Sequence, residues 1–378
     1  MCIRSRNGWC VTVRSSTCSV SCLKEVDWKE LYRIAKKQAL LDVLFYGIQR
    51  LPKELAPEQK LLMQWMVMAE MIRKQNIRLF QDSVKVCQNF ENEGFANCIL
   101  KGQGNALLYP DPYMRTPGDI DIYLAGGRKR VMQYINKVCP NQVMRYHHVD
   151  FPVMKTAIEV HFTPSYMFFP IHNRRMQKWF EEVMGEQCNH RVSLPDGYGE
   201  IHVPQVSFNV IYILSHLYRH IFTEGIGLRQ LLDYYFVLVK WHTDLTNLTD
   251  SNKSLPQMTQ INTDLDALQH KLKYLGLWKF AQAVMFVMKE VFGLSEDRMI
   301  APMDEKEGRF LLDEIMRGGN FGQYDDRMGS KVGESKIHRY FRMNLRNLRF
   351  VKHYPTEALS EPLFRTWFWT WKKLNVTN

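Results

Sequence analysis

Two aspartates set two residues apart, Asp119 and Asp121, stand in the run Gly118-Asp119-Ile120-Asp121-Ile122-Tyr123-Leu124. Alternate side chains of a β-strand share a face, so this run predicts both carboxylates on one side and Ile120 and Ile122 in a core on the other. Like charges this close raise each other's pKa unless a cation lies between them. A hard, oxygen-seeking ion such as Mg²⁺ suits that place. In Ala157-Ile-Glu-Val-His-Phe162 the apolar positions Ile158, Val160 and Phe162 alternate with Glu159 and His161. A neighbouring strand would therefore bring Glu159 beside the aspartate pair. Three carboxylates on adjacent strands can hold two Mg²⁺ ions, with Mn²⁺ as a substitute. One ion would clamp a triphosphate and the other would lower the pKa of an attacking hydroxyl. Such phosphoryl-group chemistry needs mainly positioning and charge neutralisation.

Other residues fit the same scheme. Lys101-Gly102 follows the β-like run Cys98-Ile-Leu and is expected to open a helix, whose free N–H groups attract phosphate. Gly102 and Gly104 would let the backbone approach a phosphate closely. Arg115, four residues before Asp119, is placed either to reach a triphosphate or to brace the carboxylates. His216 and His220 lie four apart on one helical face, and Arg229 and Asp233 form a similar pair on the next helix. A zinc-protease motif needs Glu after the first His, and Leu217 stands there. These four residues, with His161, are therefore read as lining a cleft or tying helices to the sheet.

The elements that must position these residues fall into three stretches. From 27 to 96 apolar residues recur near the helical period (Leu31, Ile34, Ala35; Leu61, Leu62, Trp65, Ala69, Ile72), with Pro52 as a break. From 97 to 204 short β-like runs alternate with a helical segment, Lys129 to Val138, which indicates an α/β layer. From 205 to 378 helical spacing returns, interrupted by a polar stretch, 242 to 264, that reads as a long surface loop. Residues 1–26 form an N-terminal extension of unassigned role. The fold class is α+β: a small mixed sheet with helices, flanked by N- and C-terminal helical regions. Near the end Arg339, Arg342, Arg346 and Arg349 recur at helical spacing, with Phe341, Leu345 and Leu348 on another side. Such a helix either holds RNA phosphates or shows a solvated basic face over a packed apolar stripe. Phe364-Arg-Thr-Trp-Phe-Trp-Thr-Trp371 reads as helix packing.

At 46% apolar and 24% charged residues, the chain can bury a substantial core and is not disordered. No apolar run reaches the roughly 18 residues of a membrane span, and Met1 to Lys24 lacks the apolar segment of a secretory signal. A cytoplasmic protein is expected. Its eight cysteines show no Cys-x-x-Cys and read as reduced thiols. The net charge of +11 favours polyanionic partners such as nucleotides or RNA.

With these residues in view, the chain resembles the polymerase-β-like nucleotidyltransferase superfamily, and more closely an uncharacterised bacterial nucleotidyltransferase family (NTP transferase family five). The likeness lies in Leu100-Lys101-Gly102, in Arg115-x-x-Gly118-Asp119-Ile120-Asp121, and in the strand with Glu159 and His161. It extends to Asp27-Trp28, His216-Leu-Tyr-Arg-His220, Gly225 to Asp233 and Phe350 to Glu357, or about residues 27 to 373. One departure stands out: the superfamily's phosphate-gripping Gly-Ser is replaced by Lys101-Gly102, with Gln103 after it. The resemblance implies a small mixed sheet carrying a two-metal carboxylate triad, Asp119, Asp121 and Glu159. Lys101, Gly102 and Arg115 would handle phosphates. The implied reaction moves NMP from an NTP to a hydroxyl on RNA, protein or a small molecule. The alternative is a catalytically silent nucleotide- or RNA-binding module of the same fold.

Overall fold

The computed structural model describes residues 2–4, 10–12, 26–251, 257–327 and 335–375. Of residues 1–25 only β1 (Cys2–Arg4) and β2 (Cys10–Thr12), an antiparallel pair, are described; Cys18 and Cys22 lie outside the described residues. Asp27 starts α1 (Trp28–Lys37) by accepting the N–H groups of Lys29 and Glu30 at 3.1 and 3.0 Å, a side-chain N-cap. Ala39, at φ +55°, turns the chain into α2 (Leu41–Ile48). The 34-residue α3 (Gln59–Asn92) follows and serves two cores. Leu61, Trp65, Ala69 and Ile72 pack into a helical cluster with α1, α2 and the later helices. Leu79, Phe80, Val86 and Phe90 pack against the sheet.

That sheet comprises β3 (Asn97–Ile99), β4 (Ile120–Leu124), β5 (His148–Asp150) and β6 (Ile158–His161), in the order β3-β4-β6-β5. β4 and β6 are parallel and the two outer pairings antiparallel. Between β3 and β4 lies the one-turn α4 (Gln103–Ala106); α5 (Gly127–Val138) begins the crossover after β4. Next come α6 (Pro170–Gln187) and the hairpin β7 (Arg191–Ser193) and β8 (Glu200–His202). α7 (Val206–Thr223) is buried on every side from Phe208 to Phe222, its apolar residues packing in the core while Asn209, Ser215, His216, Arg219 and His220 are buried with them. It carries Tyr212, His216, Arg219 and His220 past the open face of the sheet. The chain ends in α8 (Leu228–Ser251), α9 (Gln257–Tyr274), α10 (Trp278–Phe292), α11 (Glu305–Gly318), α12 (Lys336–Val351) and α13 (Pro355–Asn375). No helix among the described residues is long and apolar enough to cross a membrane.

The α+β class is as the sequence indicates, but three local expectations are corrected. The stretch 242–264 is not a long loop: α8 runs through Ser251 and α9 begins at Gln257. Three of its polar side chains bond within α8. Lys240 pairs with Asp244, and the Thr243 and Thr246 hydroxyls donate to the carbonyls of Val239 and Thr243. The second correction is on α12, which is turned the other way round. Phe341, Leu345 and Leu348 are exposed, while Arg346 is buried and Arg349 reaches Glu314 on α11. The anionic partners Asp325 and Glu314 draw the guanidiniums of Arg346 and Arg349 inward, while Arg339 stays exposed. The third concerns Lys101-Gly102: the helix it opens is a single turn, too short to gather the N-terminal charge that favours phosphate. A Cβ at Gly104 would strike Val203 at 2.8 Å, so this glycine answers to packing against β8.

Candidate active site

The parallel register sets Asp121 directly beside Glu159 and Ile120 beside Ile158. Ile120, Ile122, Ile158 and Val160 all fall in the sheet core, which turns Asp121, Glu159 and His161 to the opposite face. Asp119, the residue before β4, shares that face. Asp121 is almost fully buried, whereas the Glu159 side chain keeps 28% of its surface open to solvent.

Cations meet the buried aspartate. Asp121 Oδ1 accepts from Lys101 Nζ at 3.1 Å and from His161 Nε2 at 3.0 Å. Lys101 Nζ also donates to His216 Nε2 at 3.0 Å, which ties α7 to the loop after β3. Gly102, at φ +69°, makes the turn that returns Lys101 toward the strand. A second buried ion pair stands opposite: Arg115 donates from Nε and Nη2 to Asp233 at 2.8 and 2.9 Å, and Tyr109 donates to Asp233 Oδ1 at 2.7 Å. Arg115 thus braces α8 against the approach to β4. Arg229 lies 3.9 Å from Asp233 and donates to the Thr116 carbonyl at 3.3 Å, while its buried Nε has no partner. Lys101, Gly102, Arg115, Asp119, Asp121, His216, Arg229 and Asp233 together line a small cavity of about 40 Å³, with Tyr212 and Phe321.

The charges are strongly interdependent. Asp121's negative charge, then burial, push the Asp119 carboxyl up to about 6. Burial would raise Asp121 as well, but Lys101 and His161 outweigh it and hold that carboxyl well below the usual range. Burial opposes the charge on Glu159 too, and the bond with His161 overcomes it, so Glu159 is lowered. His161 is raised against its burial by Asp121 and Glu159. His216, buried and beside Lys101, is driven well below its ordinary value and stays neutral.

Among the described residues, three groups bring potential ligand atoms within 4.8 Å of one another: Asp121, Glu159 and His161; His147, His148 and His161; and His148, Asp150 and Glu159. Asp119 enters none of them, although its carboxyl feels both Asp121 and Glu159. The donors fit a divalent ion: two carboxylates from paired strands point to one place, and the repulsion that raises Asp119 is what a cation would relieve.

Of the residues singled out from the sequence, the fold gathers Lys101, Gly102, Arg115, Asp119, Asp121, His216, Arg229 and Asp233 around one cavity and places Glu159 and His161 on the strand beside it. His220 does not line the cavity; it bonds Arg219 at 2.9 Å and lies 3.3 Å from Glu224. Sequence reasoning missed His147 and His148. Their only signal is a His-His dipeptide opening a short strand, where alternation would send the two rings apart. It also missed Tyr109, whose bond to Asp233 spans 124 residues of chain.

A small mixed sheet carries the acidic strands, and Lys101 in the loop after β3, His216 on α7 and Arg229 on α8 stand around the same cavity. The family described as uncharacterised nucleotidyltransferase matches residues 24–293, and the chain belongs to it. The match ends after α10, so the part of the resemblance beyond residue 293 lies outside it. No curated protein and no solved structure matches the chain.

Proposed function

We propose that the chain moves an NMP group from an NTP to a hydroxyl of an acceptor (RNA, protein or a small molecule) with divalent metal, Mg²⁺ first and Mn²⁺ as a substitute. The observation that carries this reading is the side-by-side register of Asp121 and Glu159 on parallel strands, with Asp119 on the same face. Asp119, Asp121 and Glu159 would hold two ions, which when bound neutralise the triphosphate and acidify the acceptor hydroxyl. The remaining work belongs to the side chains. Lys101 shifts from Asp121 to the phosphates as charge develops there. Arg229, with Nε unpartnered, turns its guanidinium to the same phosphates. Arg115 keeps Asp233 and α8 in place. The acceptor oxygen bonds to the α-phosphorus, the bond from phosphorus to the bridging oxygen breaks, and pyrophosphate leaves. The hydroxyl proton passes to Glu159, the most solvent-open of the three carboxylates.

The test is transfer of α-labelled NTPs, each in turn, to the components of a cell extract with Mg²⁺. Transfer is expected for the wild type and lost in Asp119→Ala and Asp121→Ala; label that still moves in those variants refutes the assignment. One observation favours a silent binding module instead: the Lys101 ammonium already stands 3.1 Å from Asp121, where a cation would sit. Calorimetric NTP binding with no turnover across acceptors would decide for that module.

A further inference from the structure

Beside the carboxylates lies a cluster that the transfer reading does not use. His147 and His148, at the start of the edge strand β5, turn their rings toward His161 on β6. The three ring centroids are 4.4, 5.1 and 5.2 Å apart, and all three side chains are buried. His148 Nδ1 lies 3.1 Å from His147 Nε2, and one ring nitrogen from each of the three residues falls within 4.8 Å of the others. Two ligands on one ion with metal–nitrogen bonds of about 2.0–2.1 Å stand roughly 3.0–3.4 Å apart, which the His147–His148 spacing matches. Each ring also keeps one buried nitrogen with no hydrogen-bond partner: Nδ1 of His147, Nε2 of His148 and Nδ1 of His161. In His147 and His148 this is the nitrogen opposite the one that faces its neighbour, so a metal would take the facing pair, Nε2 of His147 and Nδ1 of His148.

We infer that His147, His148 and His161 form a binding site for one borderline transition-metal ion, Zn²⁺ foremost, whose fourth position faces Glu159. Imidazole nitrogens suit Zn²⁺ and are poor ligands for Mg²⁺, so this ion differs in class from the one the aspartates favour. Glu159 Oε2 lies 3.4 Å from His148 Nδ1 and 3.6 Å from His161 Nε2. Its partial exposure supplies an entry path. The cations facing the cluster, Arg219 and Lys101, are offset by Asp121 and Glu159. The site goes beyond nucleotidyl transfer and stands whether or not transfer occurs.

Untagged full-length protein, stripped with a chelator, is titrated with Co²⁺ at neutral pH and followed by its visible absorption. One equivalent should produce the strong bands of a four-coordinate nitrogen-rich site, and one equivalent of Zn²⁺ should abolish them. His147→Gln and His148→Gln should each weaken Co²⁺ binding about tenfold or more. Asp119→Asn, which should end transfer, should leave the bands in place, so failure of the transfer reading and failure of this one are told apart. Absence of Co²⁺ uptake by the wild type, or bands unchanged in both histidine variants, overturns the site. Should those variants fail to fold by circular dichroism, ¹⁵N-histidine NMR of the wild type decides: three ring systems shifting with Zn²⁺ support the site, and unmoved rings overturn it.

Discussion

Around Asp325 two carboxylates and three guanidiniums close on one another. Arg327 binds Asp325 at 2.7 Å and Glu314 at 2.9 Å, Arg349 pairs with Glu314, and Arg346 stands 3.7 Å from Asp325. On the open face of the sheet, Asp119, Asp121 and Glu159 meet Lys101, His161 and His148, and one carboxyl is left so crowded that it rises to about 6. The first cluster matches every carboxylate with a guanidinium and fastens α12 to α11, although Nε of Arg346 and of Arg349 stay buried without a hydrogen-bond partner. The second has negative charge to spare, with Asp119 raised by its neighbour Asp121, the condition of a place that takes up a cation. Both bury charge, yet only the incomplete one offers chemistry.

Exchanging charges in each region would sharpen or break that contrast. The largest effect is expected from Asp119→Asn: transfer should fall about 10³-fold, roughly 4 kcal/mol of transition-state stabilisation. The metal-free melting temperature should hold or rise, because the repulsion from Asp121 is relieved. A clear loss of stability would make Asp119 structural, like Asp325. Asp325→Asn should do the reverse. It strands buried guanidiniums and should cost about 3 kcal/mol in urea unfolding, with transfer per folded molecule unchanged. Asp42 tests a third condition, a buried carboxyl that burial and then the Asp111 charge push up to about 7. The folded state holds this proton more tightly than the unfolded one, so Asp42 costs nothing at pH below about 4 and its penalty grows as pH rises toward 7. Asp42→Asn should therefore stabilise by on the order of 2 kcal/mol at pH 8 and by little at pH 4, as read from unfolding curves at both. The smallest effect belongs to Leu345→Gln on the outward face of α12, within about 0.5 kcal/mol of the wild type. A loss of several kcal/mol there would restore the basic-outside reading of that helix.

The site was legible where side-chain alternation speaks for itself. Ile120 and Ile122, then Ile158 and Val160, declare the buried face, so the carboxylates must share the other. Pairing of β4 with β6 follows once both strands need one core. Arg115 was legible only as a cation near Asp119, because its bidentate partner Asp233 is 118 residues away and nothing local announces it. His147 was hidden for a similar reason: it lies just before β5, outside the strand's alternation, and its carbonyl accepts from Phe162 N–H, 15 residues away. On α12 the arginines and the apolar residues repeat with the same period, so spacing cannot say which stripe faces in. That choice is made by Asp325 and Glu314, which come from elsewhere. In 242–264, low helical propensity is outweighed by packing on either side, where Trp241 before it and Leu265 and Leu268 after it lie against the helical core.

The parallel pairing of β4 with β6 has a consequence for the chain as it is made. Antiparallel neighbours can zip together from a tight turn, but this pair must wait for a crossover, and everything from α5 through β5 is synthesised before Glu159 emerges. A nascent polypeptide therefore carries Asp119 and Asp121 for a time with no third carboxylate. Truncated products ending before Ile158 leave one edge of β4 unpaired and Ile120 and Ile122 without the core partners Ile158 and Val160.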